Sequence, residues 1–589
     1  MNYTKYLLLL LPLLVTWFLE AQVSVMPNHA NILYTGRFAM YDQLNPSFSM
    51  NGASIKINFY GQKIDGRFSS KGGTSYLYVI IDGHANPLQR QILEIDGLTE
   101  SIYIIADDLS EGVHSLELVK LNESETKISF HGFMITGSGL AAKPTRPIRQ
   151  LEFIGDSNTA GWSAWDAYDR GGGHTSGAYY TFPGITSRLL KAEFSLIGGS
   201  GSCITDCPSW NLTRFYDLIH LQDDRTANNE WDFNNNYWGF RPDAVIVNLG
   251  ANDYYADISK QKIKEGWKCF ITQKLRKHYP QTHIVLANSY GWAYNEPADY
   301  VHEAIAELKA EGDSRLSFVR FPWLWGQSHA VINEHAGFAN LLAKHLAEVL
   351  NWETPEPSPL TSFVAKGEIY NGSFEVSTLP GTADGWRPHG KANLIQDASV
   401  ALDGNKVIRL EDGGWVNFST EVEIGDSLVL TGWGKAKEEI HSGFFKIEFK
   451  DQAQKTIKTQ QIQPDFSTDW QAFTTAVKIP EGSWSAWVIL AADNGSIIDF
   501  DNISLEMHAV AEPPILPTEE EIKIFPNPTK DYIQIIAEGV IKPWEIFSAQ
   551  GVRFAKFNGE QRIDTSSWPA GVYFLHIPAE RYAVKFVKY

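Results

Sequence analysis

The sequence has 589 residues, of which 43% are hydrophobic, and a formal net charge of −19. This length predicts about four domains at roughly 150 residues each, and the apolar content allows each of them a core. The acidic balance argues against nucleic acid or an anionic membrane as a partner, because both carry the same sign of charge.

Residues Met1 to Ala21 are typical of a signal peptide. Lys5 supplies a positive start, a short apolar run extends from Tyr6 to Leu19, and Ala21 fits a cleavage site. The run is shorter than the ~20 residues that a membrane span needs. No later stretch could span a bilayer, so we expect an exported chain with no membrane span after processing.

Three cysteines exclude a fold that depends on disulfides. Cys203 and Cys207 are close in one loop and could pair in an oxidising compartment or stay as thiols, and Cys269 is expected to be a buried thiol. Their spacing lacks the second Cys or His pair of a structural zinc site. No cluster of His, Asp or Glu residues offers a metal site either, so we expect no metal and no cofactor.

Apolar and polar residues alternate between about residues 22 and 145, as at Ile55, Ile57 and Phe59, and glycine-rich turns separate the runs. This period of two predicts an all-β sandwich, here of the jelly-roll kind.

Between residues 148 and 352, strand-like and helix-like segments alternate, which predicts a parallel sheet with helices on both faces. The strand candidates are 150–154, 194–197, 243–249, 283–288 and 316–320. The helix candidates are 179–190, 260–278, 301–311 and 334–350.

Three of the strand candidates end in short polar motifs. Gly155-Asp156-Ser157 follows the first strand, Ser200-Gly201 follows the second, and Gly250-Ala251-Asn252-Asp253 follows the third. The carboxyl ends of parallel strands meet at one sheet edge, where α/β folds place their sites. A serine there can act as a nucleophile if a base and an oxyanion site accompany it, and a glycine N–H and an Asn amide are suitable oxyanion donors.

The three motifs, in this order, resemble the SGNH or GDSL-type hydrolases, whose sheet is flavodoxin-like. With the preceding sandwich, somewhat over half the chain resembles the family 2 carbohydrate esterases of the acetyl xylan esterase type. The resemblance implies that Ser157 is the nucleophile, and that its N–H, the Gly201 N–H and the Asn252 side chain form the oxyanion hole. Asp156 and Asp253 are interpreted as hydrogen-bond acceptors that fix loops.

The resemblance also implies the base. Family 2 esterases have Asp-x-His-Pro, a short spacer, and then (Gly or Thr)-His, and residues 327–339 match this pattern with departures. His329 takes the place of the base, but Gln327 stands where the acid is expected, Ala330 replaces proline and Glu334 replaces Gly or Thr. We therefore predict a Ser–His dyad with Gln327 or a backbone carbonyl as the orienter.

His335 is the alternative base. Asn333 is a good N-cap for the last helix, which would place His335 in its first turn. There the helix dipole disfavours the imidazolium that a general base must become.

Tryptophans in the probable loops around the sheet edge are candidates for sugar binding, since their rings stack on sugar faces. The candidate substrate-binding residues are Trp162, Trp292, Trp323 and Trp325.

Two further β-rich regions follow the hydrolase-like region. Residues 367–510 carry six tryptophans and resemble a jelly-roll carbohydrate-binding module, so we expect them to tether polymer and to be dispensable for small esters. Residues 515–589 resemble the C-terminal sorting domain of the type IX secretion system of Bacteroidetes. This resemblance implies export through that machinery to the medium or the cell surface, with loss of the tail.

The prediction for the whole chain is a secreted esterase that removes O-acetyl groups from a polysaccharide of the xylan or mannan type. One alternative, motivated by Gln327, is a non-catalytic carbohydrate-binding protein with a degenerate hydrolase domain. Another is a lysophospholipase or arylesterase on the same fold, although no long apolar lid is visible.

Overall fold

The computed structural model describes residues 22–289, 299–322, 329–438, 441–508, 522–537, 544–548, 553–557, 562–577 and 582–589. The predicted signal peptide lies outside these ranges. Among the helices in these ranges, none has the length and apolar character needed to cross a membrane. The chain divides into two compact units, one reaching to Met507 apart from Gly425–Ser427, and one formed by those three residues with His508–Tyr589.

The N-terminal region forms an antiparallel sheet of nine strands in the order β1-β9-β4-β8-β5-β6, with β2 and β7 beside β4 and β3 beside β9. Its strands are β1 (Gln22–Val25), β2 (Leu33–Thr35), β3 (Ser47–Phe48), β4 (Ser54–Lys71), β5 (Ser75–Ile81), β6 (Gln91–Ile95), β7 (Ser101–Ala106), β8 (Val113–Lys120) and β9 (Lys127–Leu140). The alternating residues Ile55, Ile57 and Phe59 all point into its core. The antiparallel β architecture is confirmed, whereas its division into two packed layers stays a prediction.

The central region is the predicted α/β domain. Its strands are β10 (Arg149–Gly155), β11 (Ala192–Gly198), β12 (Ser202–Cys203), β13 (Trp210–Asn211), β14 (Ala244–Asn248), β15 (His283–Ser289) and β16 (Leu316–Phe321). Five of them form a parallel sheet in the order β11-β10-β14-β15-β16, and β12 pairs with β13 apart from it. This order, second-first-third-fourth-fifth among the five, is the flavodoxin-like one.

The helices of this region are α1 (Ser157–Ala160), α2 (Phe182–Leu189), α3 (Ala251–Tyr255), α4 (Lys260–Cys269), α5 (Arg276–His278), α6 (Asp299–Ala310) and α7 (Ile332–Val349). Tight 3₁₀ turns occur at Ala178–Tyr180 and Leu212–Arg214, and a π-helical turn at Phe270–Leu275 joins α4 to α5.

Helix α7 begins earlier than the sequence predicts. Its N-cap is Val331 and not Asn333. The Glu334 carboxylate accepts the Val331 N–H at 2.6 Å, which caps the helix from within. The Asn333 side chain lies inside the first turn and bonds to Leu360 O and to the Asp384 carboxylate instead.

The structure settles the pairing of two cysteines that the sequence left open, and it contradicts the expectation for the third. Cys203 and Cys207 form a disulfide in the loop that follows β12. Cys269, which was expected to be buried, is exposed. It lies at the end of α4, whose buried side chains are Ile263 and Trp267, so it falls on the solvent side of that helix.

The second β-rich region is an antiparallel sheet in the order β21-β20-β24-β18-β25-β19-β23, with β17 beside β18 and β22 beside β20. Its strands are β17 (Arg387–Gln396), β18 (Lys406–Glu421), β19 (Ser427–Ala436), β20 (His441–Lys450), β21 (Thr456–Ile462), β22 (Asp465–Phe466), β23 (Gln471–Lys478), β24 (Ser485–Ala492) and β25 (Ile497–His508). Among its tryptophans, Trp386 and Trp487 are buried, while Trp433 is 37% exposed. The tryptophans therefore divide between core and surface.

The C-terminal unit consists of two small sheets, β26-β27-β30 and β29-β28-β31-β32. The strands are β26 (Ile522–Phe525), β27 (Tyr532–Ala537), β28 (Trp544–Ser548), β29 (Arg553–Phe557), β30 (Arg562–Asp564), β31 (Gly571–Ile577) and β32 (Tyr582–Lys588).

Within the first unit, one buried cluster joins three regions of the chain. Tyr78 comes from β5, Trp165 and Tyr179 come from the α/β region, and Leu379 comes from the segment before β17. The three regions therefore share a core.

Candidate active site

Ser157 lies where β10 leaves the sheet, at the first position of α1. Asp156 is the N-cap, and its carboxylate accepts the Asn158 N–H at 3.1 Å, as expected for a loop-fixing residue. Gly155 has to lack a side chain, because a Cβ there would lie 1.9 Å from Thr159 Oγ1. This glycine lets the chain turn sharply and present the Ser157 hydroxyl at the carboxyl edge of the sheet.

His329 faces this serine from the segment before α7. Its Nε2 lies 2.9 Å from Ser157 Oγ. The other ring nitrogen, Nδ1, lies against a carboxylate, which favours the tautomer with the proton on Nδ1. Nε2 is then free to accept the hydroxyl proton, which is the geometry that a general base needs.

The carboxylate belongs to Asp169, which the sequence did not single out. Its Oδ1 and Oδ2 lie 3.1 and 3.0 Å from His329 Nδ1, and Oδ2 also accepts the His329 backbone N–H at 3.1 Å. Burial raises the pKa of Asp169, but the hydrogen bonds and charge of His329 outweigh burial and hold that pKa below its usual value. The ionised form, which is the one that stabilises an imidazolium, is therefore favoured.

Asp169 is held in an uncommon backbone conformation. Its φ of +55° lies in the left-handed region, where Asp is among the few non-glycine residues that occur regularly. The loop that carries Asp169 folds back on itself, since the Asp169 N–H bonds to Asp166 O at 2.9 Å. Such local strain is often concentrated at functional sites.

Sequence reasoning looked for the acid two residues before the histidine, where Gln327 stands. Gln327 lies outside the described residues. Asp169 is 160 positions from His329, in a loop without a motif, so only the fold brings the two together. The one sequence signal is that an Asp follows the nucleophile within a glycine-rich loop, and this signal is weak.

Two of the candidate oxyanion residues, Gly201 and Asn252, follow the strands that flank β10. The sheet register aligns Gly155 with Gly198 of β11 and with Asn248 of β14, so the three motifs leave the sheet at one level. Gly201 has a φ of +75°, which favours glycine in the turn after β11. Asn252 lies in α3, directly after β14, and its Nδ2 donates to Ser202 O at 3.0 Å.

Asp253 fixes the same loop, as expected. Its carboxylate accepts the backbone N–H groups of Ile204 and Thr205, both at 2.9 Å, and the Thr205 hydroxyl at 2.6 Å.

Glu123 of the N-terminal region contacts the loop after β11 that carries Ser200 and Gly201. The Ser200 N–H and hydroxyl both donate to the Glu123 carboxylate at 2.6 Å. Glu123 is buried, and burial raises its pKa although the two bonds from Ser200 oppose this. On the other side, Trp210 Nε1 donates to Ser200 O at 2.9 Å. Ser200, which precedes Gly201, is therefore held at three polar atoms.

His335 is poorly suited to act as the base. It is fully buried in α7, with its ring between Phe182 and Phe338 at centroid distances of 6.0 and 5.8 Å. Burial lowers the pKa of His335 to about 3, and the charge of Arg387 adds to this effect. A histidine with such a pKa resists the protonation that a general base undergoes.

Of the predicted sugar-binding tryptophans, Trp162 is the one that the structure describes. It is half-buried, and its ring centroid lies 6.4 Å from that of His329. Trp292, Trp323 and Trp325 lie outside the described residues. Within the described part of the chain, no group of three or more His, Cys, Asp or Glu side chains is arranged to hold a metal.

Comparison with known families agrees with this architecture. Residues 153–346 match the GDSL-like lipase/acylhydrolase family, residues 34–144 match the carbohydrate esterase 2 N-terminal domain, and residues 523–588 match the secretion system C-terminal sorting domain. The central domain is that of an SGNH-type carboxylic ester hydrolase. The region before it matches the N-terminal domain of family 2 carbohydrate esterases, and the chain ends in a secretion system sorting domain.

Curated relatives cover the same half of the chain. Cellulase/esterase CelE of Acetivibrio thermocellus is 28% identical over 354 residues, which are 56% of this chain and 41% of that protein. An acetylxylan esterase / glucomannan deacetylase of Cellvibrio japonicus is 24% identical over 347 residues, which are 56% of this chain and 92% of that protein. A solved family two carbohydrate esterase from C. japonicus shares the fold, with a TM-score of 0.50 and 21% identity over 56% of this chain and 99% of that one.

Proposed function

We propose that this protein removes O-acetyl groups from a polysaccharide of the xylan or mannan type, with a Ser157–His329–Asp169 triad. The supporting observation is the continuous chain of contacts from Ser157 Oγ through the His329 imidazole to the Asp169 carboxylate. Asp169 replaces Gln327 in this proposal, so a triad replaces the predicted dyad.

The proposed reaction has two halves. Ser157 Oγ attacks the acetyl carbonyl while His329 Nε2 takes its proton, and the same imidazolium then protonates the sugar oxygen as it leaves. Asp169 holds the imidazole through Nδ1 and stabilises its positive charge. In the second half, His329 deprotonates a water that attacks the acetyl carbonyl of the acetyl-serine. The bond between the acetyl carbon and Ser157 Oγ then breaks, the imidazolium returns the proton to Oγ, and acetate leaves.

We assign the oxyanion hole to the backbone N–H groups of Ser157 and Gly201 and to the Asn252 amide. Asn252 Nδ2 already donates one N–H to Ser202 O, which fixes the amide plane. An amide nitrogen has a second N–H, and this is the one that we assign to the oxyanion. Preorganised donors of this kind typically contribute 10²–10³ in kcat each.

An acetylated polysaccharide is the substrate class that fits best. The named relatives include an acetylxylan esterase / glucomannan deacetylase, and Trp162 offers an aromatic ring beside the base. The sorting domain indicates type IX secretion, which would place the enzyme where such polymers occur. Residues 367–510 would add contacts to the polymer.

The test is acetate release from acetylated xylan and acetylated glucomannan, with p-nitrophenyl acetate as the small substrate. Ser157→Ala should lower kcat by on the order of 10⁶, the loss seen when a triad nucleophile is removed. His329→Ala should lower it by about 10²–10⁴, as for a general base.

The outcomes separate the alternatives. Turnover within about tenfold of the parent in Ser157→Ala would exclude Ser157 as the nucleophile. A parent that binds polymer without releasing acetate would indicate a non-catalytic binding protein. A preference for octanoyl over acetyl esters would favour a lysophospholipase or arylesterase.

A further inference from the structure

The first strand of the second β-rich region, β17, contacts the segment that carries His329. Arg387 opens this strand, is 2% exposed, and donates from Nη2 to the backbone O of His329. Arg387 Nε also lies 3.7 Å from Glu334 Oε1. Because Glu334 caps α7 through Val331, one guanidinium contacts both the proposed base and the helix start that follows it.

The same strand contacts the loop that carries Asp169. The hydroxyl of Tyr168, the residue before Asp169, donates to the backbone O of Ala392 at 2.5 Å. Arg387 and Ala392 are five positions apart on β17, so one strand contacts both segments that meet at His329 Nδ1.

Buried polar contacts fasten the segment before β17 to the start of α7. Asn333 Nδ2 donates to the Asp384 carboxylate at 3.1 Å, and Thr378 Oγ1 lies 3.2 Å from Asn333 Oδ1. Asp384 and Asn333 are 3% and 1% exposed. Separating the regions would leave these groups without their partners, which is costly for buried polar atoms.

We infer that β17 is part of the catalytic centre, and that Arg387 and Tyr168 are positioning residues that set His329 and Asp169 against Ser157. This inference rests on the proposed function. It changes the expectation for residues 367–510, because a region that positions the base is not a detachable module that serves polymer binding alone. Removing it should impair turnover of small acetyl esters as well.

The physical basis is the precision that proton transfer requires. The Ser157 Oγ to His329 Nε2 distance of 2.9 Å is already suited to proton transfer. A displacement of about 1 Å can cost on the order of 10² in rate. Such a loss falls on kcat, since Arg387 and Tyr168 contact the histidine and the aspartate loop rather than the acetyl group.

The experiment compares point variants of the full chain on p-nitrophenyl acetate. Arg387→Gln removes the cation, Arg387→Lys retains it in a different shape, and Tyr168→Phe removes only a hydroxyl. Arg409→Lys is a control because Arg409 pairs with Asp499 within the same β-rich region. Tyr180→Phe is the matched hydroxyl control, because Tyr180 OH donates to Ala85 O across the other inter-region boundary.

We expect Arg387→Gln to lower kcat by about ten- to a hundredfold with KM changed less than about threefold, in line with a misplaced base. Arg387→Lys should recover part of that loss, and Tyr168→Phe should lower kcat by roughly threefold to tenfold. The pH profile of kcat/KM should shift on its acidic side in Arg387→Gln and Tyr168→Phe but not in the controls. Titrating Ser157 with a fluorophosphonate counts folded sites, so partial unfolding cannot imitate the kcat effect.

Parent-like kcat per titrated site and parent-like pH profiles in Arg387→Gln and Tyr168→Phe would overturn the inference while leaving the proposed function intact. A parent that shows no esterase turnover would instead contradict the proposed function. In that case a crystal structure of Arg387→Gln still decides the inference. We expect the Ser157 Oγ to His329 Nε2 distance to lengthen beyond hydrogen-bonding range, and an unchanged 2.9 Å would refute positioning by Arg387.

Discussion

The two β-rich regions that flank the hydrolase domain contact different parts of its candidate site. The N-terminal region contacts the side of the proposed oxyanion hole, where Glu123 accepts two hydrogen bonds from Ser200. The second region holds the base side, where Arg387 bonds to the backbone of His329. On the first side, the contact consists of the Glu123 carboxylate and one loop. On the second side, β17 contacts the segment that carries His329, the loop that carries Asp169 and the start of α7. The comparison teaches that both neighbouring regions contact the candidate site. If the proposed roles hold, each region supports a different step of the chemistry.

Substitutions on the base side should lower kcat more than substitutions on the oxyanion side. Asp169→Asn should have the largest effect. An amide in place of the carboxylate cannot neutralise the imidazolium, and it can favour the wrong histidine tautomer. We expect kcat on p-nitrophenyl acetate to fall by on the order of 10³–10⁴, as in other serine triads. Asp313→Asn is the control, because Asp313 is also a partly buried carboxylate but pairs with Arg276, away from the loop that carries Asp169. A loss of less than about threefold in Asp169→Asn would mean that a Ser–His dyad suffices.

On the oxyanion side, Glu123→Gln is the corresponding change. Glutamine keeps the shape but offers one acceptor oxygen where the carboxylate offers two, so either the Ser200 N–H or its hydroxyl loses its partner. We expect kcat to fall by roughly tenfold, which is about 1.4 kcal/mol of transition-state stabilisation, with little change in KM. The kcat ratios of Glu123→Gln and Asp169→Asn, measured side by side, rank the two sides. A larger loss in Glu123→Gln would reverse the comparison.

The buried His335 should make the stability of the folded protein depend on pH. Folded His335 keeps a pKa near 3, whereas a histidine in the unfolded chain titrates near 6.5. Below pH 6.5 the unfolded chain therefore binds a proton that the folded chain does not. The free energy of unfolding is therefore unaffected by His335 above pH 6.5 and decreases as the pH falls towards 3. At pH 4 this one histidine should have lowered it by about 3 kcal/mol.

The variant His335→Leu should remove this loss. Its melting temperature should drop less between pH 7 and pH 4.5 than that of the parent, while kcat at pH 7 stays within about tenfold of the parent value, because His335 is not the base. His29→Gln, at an exposed histidine, is the control. A loss of turnover in His335→Leu as large as that in His329→Ala would return the role of base to His335.

The sequence predicted the elements of the central fold well. Five predicted strands coincide with β10, β11, β14, β15 and β16, because continuous buried runs bounded by polar motifs are a strong local signal. The pairing of Ser157 with His329 was also a prediction from motifs, and the structure brings these two side chains together.

The contacts to Asp169, Glu123 and Arg387 could not be predicted in this way. Each of these contacts joins segments that are distant in sequence. Arg387 is 58 positions from His329, and Asp169 is 160 positions from it. A charged residue in a loop has the same local signature whether it is solvated or meets a distant partner. The start of α7 was misplaced for a related reason, because the Asn333 side chain bonds to Leu360 and Asp384, beyond the helix itself.

The buried cluster of Tyr78, Trp165, Tyr179 and Leu379 has a consequence for how the chain unfolds. The sequence suggests separate domains joined by linkers, and such domains would melt one after another. A cluster that draws side chains from three regions couples their unfolding, since opening any one of them exposes apolar surface of the other two. Unfolding of the described residues up to Met507 should therefore be one cooperative event, and the hydrolase region should not be released intact by limited proteolysis at Pro355, Pro357 or Pro359.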